Sequence, residues 1–346
     1  MKISILIPCH NEEVSIRDCV LSCLNQTRRP DQILVVNDGS TDRSRDILES
    51  FGDQIEIINI PKATGNKSFA QEIGLQAVTG DVFIATDGDT ELHSQFVEYV
   101  EENFNRYSEF SAIGGYVRSV KYNWLTACRA FEYSIGQNLH KCAQHHLGYV
   151  FFIPGAAGVF RTEEFLHNIP FEHDTLTEDL DFTYRLHKLD MKIMFDPRMI
   201  VYTKDPTTLK AYINQVRRWF GGGWQCLMKH HKLAAENPRV ALELSILYAE
   251  GVIFSVLFFV LPFISLAFYL YFLASYLVFA LIFASFAAWR ENRWTLVLVP
   301  FPYVMLVFIN AYVFLEQMVR EVILRKRNLV WFQPERFTVE PANSLS

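Results

Sequence analysis

No Asp, Glu, Lys, Arg or His occurs between Gly251 and Trp289, and none between Thr295 and Leu315. In a chain that is 20% charged overall, two such gaps exclude a polypeptide that faces water along its whole length. A helix crosses the hydrocarbon core in about 20 residues. The first gap accommodates two crossings that turn near Pro262 to Ala267, and the second accommodates one. Buried helices of a soluble core are the alternative, but three adjacent apolar segments leave too little polar surface to enclose them. The expected membrane region is therefore 243–319, with segments 243–264, 267–289 and 295–316 and then a basic and polar tail, 320–346.

Other absences narrow the classes further. The six cysteines include one close pair, Cys19 and Cys23, and no second pair at zinc spacing. Reduced, buried thiols are expected rather than ligands or disulfides. The opening stretch, MKISILIPCHNEE, is not a secretory signal: its apolar run is short, ends at Pro8 and meets acidic residues. The polar part is therefore expected in the cytosol. A net charge of −6 argues against a nucleic-acid partner. No GxGxxG follows a strand, and GNKS at 65–68 has neither the earlier glycine nor the residue order of a phosphate loop. Basic residues gather beside the apolar segments: Lys229, Lys232 and Arg239, then Arg290 and Arg293, then Arg320, Arg325, Lys326 and Arg327. The positive-inside rule asks for all of them on the cytosolic side. Three full crossings would put the last cluster on the far side, whereas a re-entrant third segment bent at Pro300 and Pro302 would not. The sequence leaves both open.

Residues 1–230 read as an α/β domain, including an interfacial helix around 208–230. Apolar strands, KISILIP, QILVVND, IEIINI and DVFIATD, alternate with amphipathic stretches, the pattern of βαβ units and a mostly parallel sheet. Asn11 is the expected cap of the first helix and Ser40 of the second, and Gly80 is expected to close the third. Ligands of such sheets sit beyond the carboxyl ends of the strands, where His10, Asn11, Glu12, Asn37, Asp38, Asp87 and Asp89 fall.

Asp87 and Asp89, one glycine apart past a strand, can share a hard cation such as Mg²⁺ or Mn²⁺, which bridges carboxylates to a diphosphate. A polar turn is the plain alternative. In LTEDLDFTYRL, Thr177 is the expected cap, and Glu178 and Asp179 fall in the first helical turn, which favours ionised carboxylates. Capping alone would also explain them. In QVRRWFGGGWQ, Gln215 and Trp219 lie one helical turn apart. The Arg218 guanidinium suits phosphate oxygens, and an indole suits the face of a sugar ring. The three glycines are expected to let the chain leave the helix along a membrane surface. His145 and His146 read as surface residues, His230 and His231 as interfacial charge partners, and Asp181 and Arg185 as a surface ion pair.

PCHNEE, VVNDGSTD, Lys67 before a helix, DGD, TEDLD and QVRRW occur in this order. The order resembles the processive, membrane-bound members of glycosyltransferase family 2, the synthases of poly-N-acetylglucosamine, hyaluronan, chitin oligosaccharide and cellulose. The first of these is nearest, on PGAAGVFR, TEDLDFTYRLH and RRWFGGG. The resemblance implies a nucleotide-sugar-binding GT-A-like domain on the cytosolic membrane face, followed by interfacial helices and transmembrane helices. It implies an inverting transfer from a UDP-sugar, with UDP-N-acetylglucosamine favoured, to a saccharide or lipid acceptor. Pro8, Asn11, Glu12, Asp38, Lys67, Asp87 and Arg218 would bind the donor, with Asp38 on the uracil. Asp87 and Asp89 would hold the metal. Asp179 would be the general base, and Glu178, Gln215 and Trp219 would meet the acceptor.

Three apolar segments make a thin wall for a polysaccharide channel, so export would need an oligomer or a partner subunit. Single-sugar transfer to a membrane lipid is the main alternative. A non-catalytic subunit that binds nucleotide sugar and a membrane nucleotidyltransferase are the others.

Overall fold

A computed structural model describes residues 1–169, 171–327, Leu329 and Phe337; most of the expected polar tail lies outside the described residues. Among the described residues the chain forms two compact units, Met1–Val120 with His140–Asp205 and Phe337, and Lys121–Leu139 with the stretch from Pro206 to Leu329.

The first unit opens with β1 (Ile3–Cys9), buried at all its positions, α1 (Ile16–Leu24), β2 (Gln32–Asp38), α2 (Ser44–Glu49), β3 (Glu56–Ile60), α3 (Lys67–Leu75) and β4 (Val82–Ala85). β5 (Thr90–Leu92), α4 (Phe96–Arg106) and β6 (Phe110–Ser119) follow. The second unit takes α5 (Trp124–Ile135), after which the first resumes with α6 (Cys142–His146), β7 (Gly158–Arg161), α7 (Thr162–Asn168), α8 (Glu178–Lys188) and β8 (Lys192–Thr203). The strands form one sheet in the order β3-β2-β1-β4-β7-β6-β8-β5.

The expected parallel pairing runs from β3 to β4, is interrupted by β7, which is antiparallel to both β4 and β6, and resumes between β6 and β8, with β5 antiparallel at the edge. The sheet is therefore mixed. The reversal matters for position. With Ala85 opposite Gly158, the loop that leads into β7 arrives at the same sheet edge as the carboxyl end of β4. Ile3, Ile5 and Ile7 are wholly buried, each worth about 2 kcal/mol of transfer free energy.

Several helix limits differ from expectation. α1 starts only at Ile16, since Asn11 adopts a left-handed φ of 52° and its Oδ1 accepts from the Thr41 amide. α2 starts at Ser44, whose amide donates to Asp42 Oδ1. α3 ends at Leu75, and the Gly80 amide instead donates to the Ser4 hydroxyl oxygen at 2.9 Å. Gly39 answers a harder demand: its φ is +58°, and a Cβ there would stand 2.2 Å from the Ala63 amide nitrogen. Gly39→Ala must shift backbone as well as strain it, so about 2–3 kcal/mol of stability should be lost, readable as a lowered thermal midpoint.

In the second unit, α9 (Leu209–Lys229), α10 (His231–Glu236), α11 (Pro238–Leu244), α12 (Gly251–Ile264), α13 (Leu266–Arg290) and α14 (Pro300–Met318) join α5. Three stretches, Pro238–Ile264, Leu266–Arg290 and Pro300–Ile323, are helices long and apolar enough to cross a membrane. The turn between the first two falls at Ser265, whose hydroxyl caps α13. Pro300 opens α14 at its first turn, where the missing N–H costs nothing, rather than bending it. The glycines at 221–223 do not release the chain either. α9 runs through them because they are buried, and Gly223 leaves room for the Tyr248 hydroxyl, 2.9 Å from where a Cβ would stand.

Candidate active site

Three elements meet at the carboxyl edge of the sheet. β4 ends just before Asp87, α3 begins with Lys67, and α8 begins with Glu178 and Asp179. Lys67 Nζ lies 2.5 Å from Asp87 Oδ1 and 2.9 Å from Glu178 Oε1. Burial alone would favour the neutral amine, but Asp87 and Glu178 overcome it and hold the lysine protonated. Asp179 stands beside this cluster. Its Oδ2 accepts from the Gly155 amide at 3.0 Å and its Oδ1 from the Leu180 amide at 2.9 Å. Burial, reinforced by the Glu178 charge and opposed by Lys67, pushes its carboxyl up to about 6. Behind it the wall is apolar, with Phe160, Phe165, Phe171 and Phe182. Gly155 permits this approach, since a Cβ there would stand 3.1 Å from Asp179 Oδ2.

The strand ends supply a second, adjoining group. Asp38 is buried, and its two carboxylate oxygens accept from the Thr64 amide at 2.8 Å and the Thr64 hydroxyl at 2.7 Å. It thus fixes the loop ahead of Lys67. His10 donates from Nδ1 to the Asp38 carbonyl at 2.6 Å, which leaves Nε2 to accept from the Asn11 amide group at 3.1 Å. Glu12 is buried and takes the Ser15 hydroxyl at 2.6 Å. Pro8 lies in β1, paired with Val36.

Asp87 is about a third exposed, whereas Asp89 is 8% exposed with an oxygen accepting from the Thr90 hydroxyl. Both offer the hard oxygens that Mg²⁺ or Mn²⁺ prefers. Among the described residues no three His, Cys, Asp or Glu side chains converge as a metal set. Asp87 and Asp89 would therefore hold such a cation only together with ligands from outside these residues.

Gln215, Arg218 and Trp219 belong to the second unit. Gln215 is buried, and its amide oxygen has no hydrogen-bond partner among the described residues. Trp219 is half-buried, with the Arg129 guanidinium 4.6 Å from its ring centroid.

Residues 4–162 match the family model described as glycosyl transferase family 2. The chain carries a family 2 glycosyltransferase domain. The curated relatives agree with that glycosyltransferase assignment. The poly-beta-1,6-N-acetyl-D-glucosamine synthase of Staphylococcus epidermidis is 24% identical over 243 residues, covering 69% of this chain and 59% of that one. A probable glycosyltransferase of Bacillus subtilis, YdaM, is 29% identical over 237 residues, covering 66% and 56%. The chain thus spans under two thirds of the length of these relatives. A mannosyltransferase from Pyrobaculum calidifontis, solved with GDP-Man and Mn²⁺, superposes at a TM-score of 0.60 and 15% identity, covering 87% of this chain and 86% of that one. That likeness extends to the fold of the glycosyltransferase domain.

The geometry also corrects minor expectations and adds residues. Asp181 and Arg185 are not a surface pair: Asp181 is 1% exposed and the ion pair, at 2.7 Å, also involves Glu172. Helical spacing gave their proximity but not the side they face. His230 is buried rather than interfacial, at 2% exposure. His145 packs half-buried, with Nδ1 3.4 Å from the Phe195 amide, while His146 is exposed. Thr64 carried no chemical signal in the sequence. Nor did Lys141, whose ammonium lies 5.0 Å from the Phe152 ring centroid and is brought down to about 7 by burial, with Asp179 opposing.

Proposed function

We propose that this protein transfers a sugar from a UDP-sugar, UDP-N-acetylglucosamine in preference, to a growing β-linked saccharide, with inversion, at the cytosolic face of a membrane. The observation that carries this reading is the placement of Asp179 at the head of α8, its carboxylate held by the Gly155 and Leu180 amides beside the Lys67, Asp87 and Glu178 cluster. A single displacement at an anomeric carbon needs an activated hydroxyl, a stabilised diphosphate leaving group and fixed geometry. Asp179 accepts the acceptor's proton. Its two backbone hydrogen bonds aim the carboxylate, and the apolar wall keeps it basic. Asp38, through Thr64, and Asn11, through Thr41, fix the loops around the nucleoside, and Glu12 and Pro8 complete that wall. Arg218 meets diphosphate oxygens, while Glu178, Gln215 and Trp219 receive the acceptor. Asp87 and Asp89 would hold Mg²⁺ or Mn²⁺, which when bound neutralises diphosphate charge.

The three apolar helices cross the bilayer in this reading, and export of a polymer calls for an oligomer or partner subunit. The names of the relatives support the sugar and the polymer. Protein in lipid, offered a panel of UDP-sugars with Mg²⁺ or Mn²⁺, should release UDP fastest from UDP-N-acetylglucosamine and yield a ladder of product masses. A product one sugar heavier than a lipid would assign single transfer instead. Pyrophosphate in place of UDP would overturn the reading.

A further inference from the structure

Within the second unit a guanidinium is buried beside a partly exposed carboxylate. Arg129 of α5 has a side chain just 4% exposed and is paired with Glu132 one turn on. A buried guanidinium is costly unless it is paired and its donors are used. Here Nη2 donates to the Tyr133 hydroxyl at 3.0 Å. Its Cζ lies over three rings, with centroids at 4.6 Å for Trp219, 4.7 Å for Tyr133 and 5.7 Å for Tyr212. Glu132 is fixed in turn. Its Oε1 accepts from the Tyr303 hydroxyl at 3.0 Å, and from the Tyr212 hydroxyl and the Asn310 amide at 3.4 Å. Tyr303 and Asn310 lie seven residues apart on one side of α14, the last apolar helix. An unbroken chain of contacts therefore runs from that helix through Glu132 and Arg129 to one face of the Trp219 indole.

We propose that Arg129, locked by Glu132, is a positioning residue that holds the Trp219 ring in the orientation that receives the acceptor sugar. The proposal rests on the reading of Trp219 as an acceptor contact. A planar guanidinium stacks on an indole as an ammonium does not, and the ring's half-buried state leaves its remaining surface for a ligand. The pairing with Glu132 keeps the cation from reaching for phosphate or solvent. The apolar helix supplies the fixed end of the clamp.

Full-length protein in nanodiscs, labelled with 5-fluorotryptophan, tests this directly. Six tryptophans limit the spectrum to six ¹⁹F signals, and Trp219→Phe assigns one of them. Arg129→Met should shift and broaden that signal alone, with Arg129→Lys in between. With UDP-N-acetylglucosamine as donor and a β-linked N-acetylglucosamine pentasaccharide as acceptor, Arg129→Met should raise the acceptor KM about tenfold. The donor KM should stay put. In a Trp219→Ala background the same change should add nothing to the acceptor KM, which a merely structural role would not produce. If Arg129→Met does not fold, Glu132→Gln should give the same signature at smaller size. An unmoved Trp219 signal, or a KM rise that adds fully to that of Trp219→Ala, overturns the proposal while leaving the acceptor site intact. If Trp219→Ala itself leaves the acceptor KM unchanged, the acceptor reading fails, and the clamp fails with it.

Discussion

Asp179→Asn should lower sugar transfer about a thousandfold while UDP binding stays intact. General-base catalysis contributes roughly 10²–10⁴-fold, and an amide cannot take the proton. The substitution is nearly isosteric, but the carboxylate accepts from two backbone amides, Gly155 and Leu180, and asparagine offers one acceptor oxygen. A small loss of stability should accompany the large loss of rate. The wild-type enzyme should show the same group in its pH profile. A base works only when ionised, and burial beside Glu178 pushes this carboxyl up to about 6. The rate should therefore fall about tenfold per pH unit below 6 and flatten above it. Single-turnover UDP release across pH reads both effects. Near-normal elongation by Asp179→Asn would remove Asp179 from the chemistry.

Lys67→Met should act on the same base from the other side. The lysine is the cation that opposes the upward push on Asp179, so its loss should move the acid limb above 6. Activity at pH 7 should then drop more than activity at pH 8. The fold should weaken too. Breaking a buried ion pair costs about 3–5 kcal/mol. Lys67 and Glu178 have side chains 11% and 9% exposed, but Asp87 is 33% exposed and screened by water. A loss near the lower limit, about 3 kcal/mol, is expected in chemical denaturation at pH 8. An acid limb that stays at 6 in Lys67→Met would mean that Lys67 serves stability alone.

The two residues differ in how far they could be read from the chain. Asp179 follows Thr177 at a helix start, and that local signal placed it correctly at the head of α8. That it meets Lys67, far behind it in sequence, is set by the antiparallel turn-in of β7, which no periodicity announces. The strand tips carrying Asn11, Asp38 and Asp87 were legible because apolar runs ending in polar residues mark the edge of a covered sheet. The limits of the helices beyond them were not. Asn11 and Ser40 have the chemistry of caps, yet here they tie one loop to another.

Glycine was read least well. At 221–223 it promised a flexible exit and instead made room for Tyr248 in a continuous helix. A missing side chain looks the same in a sequence whether it frees the backbone or admits a neighbour. Charges on helices suffered the same ambiguity: Asp181 and Arg129 stand at ordinary amphipathic spacing and are both buried.

By itself the sequence determined the alternation of strands and helices, the polar tips that hold the acidic residues, and three apolar segments able to cross a bilayer. Those follow from hydrophobic periodicity and chain-local chemistry, which act over a few residues. Only the tertiary structure decided that Lys67 would bridge Asp87 and Glu178, that the Asp179 carboxyl would be lifted toward neutrality, and that Arg129 would face Trp219. Charge coupling and desolvation depend on distances between residues remote in the chain, and those distances exist only once the chain has folded.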